Sequence, residues 1–448
     1  MQTTSWSTMI LVLASLVAGT ITPVAAQIER VSLANDGGQA NAGSAQAAIS
    51  HDGSIIAFHS NANNLVVGDS NGWADVFVRD LAAGTTEIVS LRPDGSETAS
   101  YSRLASLSGD GRLVTFQGRN PAGVTIPGLT DRLDGTTVHL VPDTGTVGPG
   151  DAAMPRLEST LSGDGRFLAF RSRSQLQNVW PESLRPIDDD QNIAHDVFVL
   201  DLETEPTPPI ERVSRLSTGD ELDADSRSPA LSHAGRFVAF MTYSDLLVND
   251  ANNRPDIVVK DRQSGALEVI SVNPGDSTGN GGSFNPALSA DANIVVFRSE
   301  ASDLVPNDSN GRWDIFVRDR STGTTTRVSV ASDGSQANHH SMEASVSADG
   351  RFVVFRSLAS NLVADDTNNR ADIFVHDRDS GQTTIVSRPP GGQADGHSAN
   401  PVISGDGQWI AFESDATNLV EGDTNQVRDI FRAPNPLADA PAGSTEGR

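Results

Sequence analysis

The chain has 448 residues, 37% hydrophobic but only 5% aromatic, with 40 glycines, no cysteine, and 58 acidic against 32 basic side chains for a net charge of −26. That balance excludes a nucleic-acid backbone or an anionic membrane surface as partner, because both demand a basic face. The lack of cysteine excludes a disulfide framework and a lipid-modified cysteine.

Residues 1–26 carry no charged side chain; Ile10–Ala18 is almost wholly apolar, and Val24-Ala25-Ala26 precedes Gln27. This pattern predicts a secretory signal peptide over 1–26, too short for a membrane span, and hence a periplasmic or extracellular protein with no span after signal removal. An uncleaved anchor is the alternative, since Met1–Met9 lacks Lys and Arg. Ile28–Ser32 then reads as a short strand identical in sequence to Ile210–Ser214. From there a Ser-x-Asp-Gly-Arg-aromatic-Val-Ala-Phe segment returns seven times, at Ser50–Phe58, Ser108–Phe116, Ser162–Phe170, Ser232–Phe240, Ser289–Phe297, Ser347–Phe355 and Ser404–Phe412. The spacing is roughly 57 residues, the mark of stacked or radial modules.

Within a unit, a strand ending at the motif serine is followed by an Asp-Gly hairpin turn and a second strand such as Phe352–Arg356. A longer loop leads to a third strand, Asp314–Val317 or Asp372–Val375, and a Thr-Gly or Ser-Gly turn opens a fourth, Thr325–Ser329 or Thr383–Ser387. Four antiparallel strands per repeat and no helix describe a propeller blade. The predicted fold is therefore all-β, a seven-bladed propeller over 27–433. The last repeat stops after Asp429-Ile430-Phe431, so the N-terminal strand is predicted to complete the last blade and remove its open edge. Two repeats depart from the pattern. The second lacks Asp-Ile-Phe-Val between Gln117 and Thr136, predicting an irregular blade, and the third carries an insertion around Gln175–Asp188 that includes Trp180. The tail, 434–448, is rich in Pro, Ala and Gly and is expected to be disordered.

These repeats resemble the TolB-like, WD40-like (PD40) propeller family, whose units read Ser-Pro-Asp-Gly-Lys-x-Ile-Ala-Phe and then Asp-Ile-Tyr-Val-x-Asp. Here Ala, Gly or His stands in place of the family's proline. The resemblance covers about residues 28 to 432 and implies the propeller fold. It extends to binding proteins, lyases and peptidase propellers, so the fold does not decide the function.

Six repeats carry Asp-x-Asn-x-x-x-Asp running into the third strand: Asp69, Asn71, Asp75; Asp190, Asn192, Asp196; Asp250, Asn252, Asp256; Asp308, Asn310, Asp314; Asp366, Asn368, Asp372; and Asp423, Asn425, Asp429. Five of them have a further Asn or Asp upstream, at Asn64, Asp245, Asp303, Asn361 and Asn418. Two readings fit. Closely spaced oxygen ligands suit a hard cation such as Ca²⁺, and the loop is similar to the calcium loops of integrin-type propellers, although two residues shorter and without their middle carboxylate. Equally, Asp and Asn form turns by bonding nearby backbone amides.

Strand order puts these loops and the connections between blades on one face, where a binding surface is expected. Trp73, Trp180 and Trp313 fall in that set, either stacking on a ligand or packing against a neighbouring blade. His339, His340 and His397 lie in blade connections near the channel mouth and read as loop residues, since no His-x-x-x-His or His-Glu-x-x-His pattern is present. The many carboxylates single out no acid–base pair. The expectation is an exported, non-catalytic propeller that binds a protein or glycan partner through its loop-rich acidic face, with Ca²⁺ as the candidate cofactor. The alternative is a lyase-like, polysaccharide-active enzyme with a metal-assisted site at the channel mouth.

Overall fold

In six of the seven blades one aspartate sets the hairpin, Ala234 standing at that place in the fourth. In the first repeat the Ser50 hydroxyl donates to Asp52 Oδ1 at 2.7 Å, and the Ser54 amide donates to the same oxygen at 3.0 Å. Gly53 takes the left-handed φ of 73° that the turn requires. Ser50 Oγ then accepts the Ile55 amide at 3.0 Å, so serine and aspartate fix the turn from both sides. The computed structural model describes residues 27–98, 100–119, 125–139, 159–173, 192, 194–203, 210–247, 249, 250 and 252–438. The signal-peptide expectation, Trp180, Asp190 and the insertion of the third repeat lie outside these residues.

The described strands form seven four-stranded antiparallel sheets. Blade 1 comprises Ser44–Ile49, Ile55–Ser60, Asp75–Asp80 and Thr85–Ile88. Blades 2 to 6 repeat this order within Arg103–His139, Ser159–Arg212, Ser226–Val269, Ser283–Arg327 and Ser341–Ile385. Blade 7 takes three strands from Ser398–Pro434 and its fourth from Glu29–Arg30. That last pairing sets Glu29 opposite Arg432 and Arg30 opposite Phe431, and the Val31 amide adds a bond to the Ile430 carbonyl at 2.8 Å. The seven-bladed ring closed by the N-terminal strand is thus the observed fold.

The core lies between blades. Phe58 and Ile56 of blade 1, for example, pack with Ala411 and Ile430 of blade 7. Within blades 1, 3, 5, 6 and 7 the motif phenylalanine stacks on the third-strand phenylalanine, with ring centroids 5.7–6.0 Å apart. Each blade buries both faces, which is why the second and third strands read as continuous apolar runs rather than alternating ones.

A second closure runs around the end of the channel that carries the hairpin turns. The amide of His51 donates to Gly109 O, Gly109 to Gly163 O, Asp164 to His233 O, His233 to Ala290 O, Ala290 to Ala348 O, Ala348 to Gly405 O, and Asp406 back to His51 O, at 2.7–3.0 Å. Seven backbone bonds thus complete a belt through the residue after each motif serine. The belt leaves little room there. A Cβ on Gly405 would stand 2.0 Å from His51 Nδ1, and one on Gly163 2.2 Å from His233 Nδ1.

Two expectations need correction. Blade 2 is a regular sheet, because Thr125–Asp131 pairs with Leu113–Arg119 along its full length despite lacking Asp-Ile-Phe-Val. Gly128 stands where other blades place a bulky residue, and the Phe116 ring covers it so closely that a Cβ would lie 2.2 Å from Cζ. The ordered chain also runs past 433. Pro434 pairs with Trp409, the Asn435 amide donates to Gln408 O at 2.7 Å, and Leu437 and Ala438 pack on the core of blade 7. Residues 439–448 of the expected tail lie outside the described chain.

Deleting 27–32 removes a strand, the fully buried Val31, and the Ser32 hydroxyl that donates to Asp429 at 2.6 Å. The loss is on the order of 5 kcal/mol. The expected outcome is a melting midpoint lowered by about 5 °C or more in a calorimetric scan. An unchanged midpoint would show that the fourth strand of blade 7 does not close the ring.

Candidate functional site

The acidic loops turn inward. Six strand-opening aspartates, Asp75, Asp196, Asp256, Asp314, Asp372 and Asp429, are fully buried. Each accepts a hydroxyl from a fourth-strand serine through Oδ1: Ser90, Ser214, Ser271, Ser329, Ser387 and Ser32, at 2.5–2.7 Å. The loop asparagine donates to Oδ2 in blades 1, 5, 6 and 7, from Asn71, Asn310, Asn368 and Asn425 at 2.7–3.0 Å. Its own oxygen accepts an amide two residues on, as Asn71 does from Trp73 at 2.7 Å. In blade 4 Asn252 instead binds Thr278 Oγ1, and in blade 3 Asn192 donates to Leu222 O. The asparagines thus act as turn formers. The upstream residues stay apart from the carboxylate pairs: Asn64, Asp303, Asn361 and Asn418 accept the amides of Asn41, Asn280, Asn338 and Asp395.

What lies beside Oδ2 differs between blades. In blade 5 Arg327 Nη1 stands 2.9 Å from Asp308 and 3.6 Å from Asp314. In blade 7 Arg30 reaches Asp423 at 2.8 Å and Asp429 at 3.5 Å. In blade 3 Arg212 lies 3.7 Å from Asp196 and also pairs with Glu221. Register places Ile88, Val269 and Ile385 at this position in blades 1, 4 and 6, each opposite the third-strand residue that Arg327 faces in blade 5. Burial pushes the blade 4 carboxyl of Asp256 up to about 7, with Asp250 adding repulsion. In blade 1, burial raises Asp69 and Asp75 to about 6, reinforced by Glu97 and, for Asp75, by Asp69, while Ser90 and Asn71 pull Asp75 down. Among the described residues, no group of three or more His, Asp or Glu side chains is placed to hold a metal ion.

The second feature is the central channel. All seven first strands line a cavity of about 550 Å³ at its axis. In six of them one residue adopts left-handed backbone, φ 49–56°, although none is glycine: Gln46, Leu104, Ser228, Asn285, Glu343 and Asn400. Each sits at a bulge where the first strand slips register against the second. Such conformations cost about 1–3 kcal/mol apiece and collect at functional sites. Two bulge amides hold a carboxylate: Gln46 N donates to Glu413 at 2.7 Å, and Asn400 N to Glu343 at 2.8 Å.

The residue after each motif phenylalanine is His59, Gln117, Arg171, Met241, Arg298, Arg356 or Glu413; Arg298 lines the cavity, Glu413 and Arg356 reach its lining, and Met241 is packed in the core. Arg356 pairs with Glu343 at 3.0 Å, and Arg428 bridges Glu413 and Asp415 at 2.9 Å. Arg298 stacks over Phe284 and Trp313, 4.8 and 4.3 Å from their centroids. Arg227 and Arg103 stack likewise on Tyr243 and Tyr101. Trp73 and Tyr243 are exposed. Of the connection histidines, His340 and His397 each accept a neighbouring backbone amide through Nδ1, from Trp313 at 3.0 Å and Ala371 at 2.8 Å. Neither the fourth-strand arginines nor the channel ring figured in the sequence reading. The signal is positional: Arg alternating with Ile or Val two residues before the fourth-strand serine, and charged residues directly after the motif phenylalanine.

No protein-family model matches the chain, and no match to it was found among curated proteins. Among solved structures it is similar to an oligogalacturonate lyase from Vibrio parahaemolyticus, at TM-score 0.54 and 12% identity, over 93% of this chain and 95% of that one. It is also similar to the propeller domain of the Pyrococcus furiosus Trilobed protease, at TM-score 0.53 and 9% identity, over 88% and 95% of the two chains. That propeller has an open velcro topology, whereas here Glu29–Arg30 closes the ring. TolB from Acinetobacter baumannii matches at TM-score 0.41 and 14% identity, over 81% of this chain and 76% of its own. The likeness is one of fold. Among the described residues no helix is long and apolar enough to cross a membrane.

Burial holds His59 and His376 neutral, each near pKa 4, with Arg103 adding to the effect at His59 and Arg378 at His376, where Asp377 opposes it. Both sit below the unfolded value of 6.5, so the unfolded chain binds protons that the folded chain refuses. Stability should therefore fall as pH drops from about 6.5 to about 4, by roughly 3 kcal/mol for each histidine over the full window. Denaturant titrations at pH 7 and pH 5 should show His59→Gln and His376→Gln each losing less stability than the parent. Equal losses would place these histidines in water.

Proposed function

We propose that this propeller is a non-catalytic binding protein whose channel mouth takes the carboxylates of an acidic glycan. The observation that carries the reading is the internal use of the ring: bulge amides at Gln46 and Asn400 already hold the carboxylates of Glu413 and Glu343. Where the ring residue is Arg298 instead of a glutamate, the same geometry offers a cation beside the bulge of the next blade. Guanidinium groups suit planar carboxylates, and the aromatic faces of Trp313, Tyr243 and Tyr101 suit sugar rings. The chain's charge of −26 opposes an anionic ligand at long range, but screening confines that field to about 8–10 Å at physiological salt. The face around the mouth is the one that carries the acidic loops, whose strand-opening carboxylates are buried inside the blades. Export across a membrane, expected from residues 1–26, belongs to the same reading, because such polymers lie outside the cell.

A lyase is the second reading, favoured by one observation. His59 is neutral at pH 7, its buried Nδ1 has no hydrogen-bond partner among the described residues, and Arg103 lies close enough to depress its pKa. In a β-elimination the base takes the proton at the carbon bearing the carboxylate, the pair of that C–H bond becomes the new double bond, and the glycosidic oxygen leaves the adjacent carbon with its own bond pair and takes up a proton. A neutral imidazole can take that proton, but with a pKa near 4 it is a weak base, which ranks this reading second.

Calorimetric titration with oligogalacturonides and their methyl esters separates the outcomes. The binding reading predicts millimolar or tighter affinity for the free acid, weaker affinity for the ester, and about tenfold loss in Arg298→Ala. Ultraviolet absorbance of an unsaturated product, abolished by His59→Ala, would move the protein to the lyase reading. Equal affinity for acid and ester would overturn carboxylate recognition, and a protein ligand would then be sought on the same face.

A further inference from the structure

Oδ2 of the buried strand-opening aspartate accepts the loop asparagine in blades 1, 5, 6 and 7, and the blades differ in the group that stands beside this carboxylate from the fourth strand. In blades 5 and 7 that group is a guanidinium, from Arg327 and Arg30, lying between two carboxylates of the same loop. In blade 3 Arg212 takes the equivalent place beside Asp196. Blade 6 has Ile385 there, but Arg388 lies near enough to act electrostatically on both Asp366 and Asp372.

Among the described residues, blades 1 and 4 have no such cation. Asp256 is fully buried, its Oδ2 has no hydrogen-bond partner, and Oδ2 of Asp250 across the loop is also buried and unpartnered. Val269 stands where blade 5 has Arg327. In blade 1 both oxygens of Asp69 are buried without partners beside the fully buried Asp75, and Ile88 stands at the arginine position. Removing carboxylate oxygens from water with no compensating charge is expensive, so such groups are paired or bind a metal.

We infer that blades 1 and 4 each bind a hard divalent cation, calcium by the chemistry of the donors, in the place that blades 5 and 7 fill with arginine. Asp250 and Asp256 supply the charge in blade 4, and Asp69 and Asp75 do so in blade 1. Water and backbone carbonyls complete the oxygen shell, as calcium permits. With two carboxylates per site, affinity falls in the range of extracellular modules, about 10⁻⁴–10⁻³ M. These sites lie within the blades and away from the channel, so this inference stands or falls independently of the glycan reading.

The test is equilibrium dialysis of the whole chain against Ca²⁺ at physiological ionic strength, without glycan. Two ions should bind. Ile88→Arg and Val269→Arg should each remove one by importing the guanidinium of blade 5, and Arg327→Val should add a third. Asp69→Asn and Asp256→Asn, smaller changes, should also remove one each and serve if the arginine variants fail to fold. No bound ion, six bound ions, or a number that none of these substitutions alters would overturn the inference.

Discussion

The structure depends on closing a ring twice. At the hairpin end, seven backbone bonds join the turns of consecutive blades from His51 round to Asp406 and back to His51. At the outer rim, Glu29–Arg30 pairs with Phe431 and Arg432, so residues some 400 positions apart share a ladder. A blade cannot leave without breaking one belt bond on each side and exposing the apolar faces of both neighbours. Stability is therefore shared among blades, as in any architecture of nearest-neighbour interfaces, but here the array has no free end.

Belt and blade constrain the sequence differently. The belt fixes the backbone and selects small residues at the second motif position, Gly109, Gly163, Ala290, Ala348 and Gly405, against which His51 and His233 can fit. Inside a blade the limiting term is electrostatic. A buried aspartate supports the entry to the third strand through its serine, yet its second oxygen must still find a donor or a cation. Asn310 and Arg327 together meet that need in blade 5. The repeat thus tolerates either arginine or an apolar residue at one fourth-strand position, with different consequences for the charge it encloses.

Much of this was legible in the sequence because it is periodic. Serine, aspartate and glycine at fixed offsets gave the hairpins, and the match between Ile28–Ser32 and Ile210–Ser214 gave the ring closure. Blade 2 was misread for a physical reason. Its third strand, Thr125–Asp131, is built on Gly128 beneath the Phe116 ring, and pairing needs only backbone. The acidic loops were read as equivalent, and they are equivalent in backbone. Their difference comes from Arg30, Arg212 and Arg327 on another strand, a distance in sequence that loop chemistry alone does not span. The channel bulges left no trace, since Gln46, Leu104, Ser228, Asn285, Glu343 and Asn400 share no residue type, only a place in the ring.

Native-state hydrogen exchange on the belt amides tests the double closure most directly. The amides of His51, Gly109, Asp164, His233, Ala290, Ala348 and Asp406 belong to turns, which ordinarily exchange through local fraying. In a closed belt they should exchange together, with a single opening free energy equal to that of global unfolding. Exchange of any of them at a lower free energy than the second-strand core of its own blade, such as Phe58 or Phe412, would show that the ring opens blade by blade and would contradict this account.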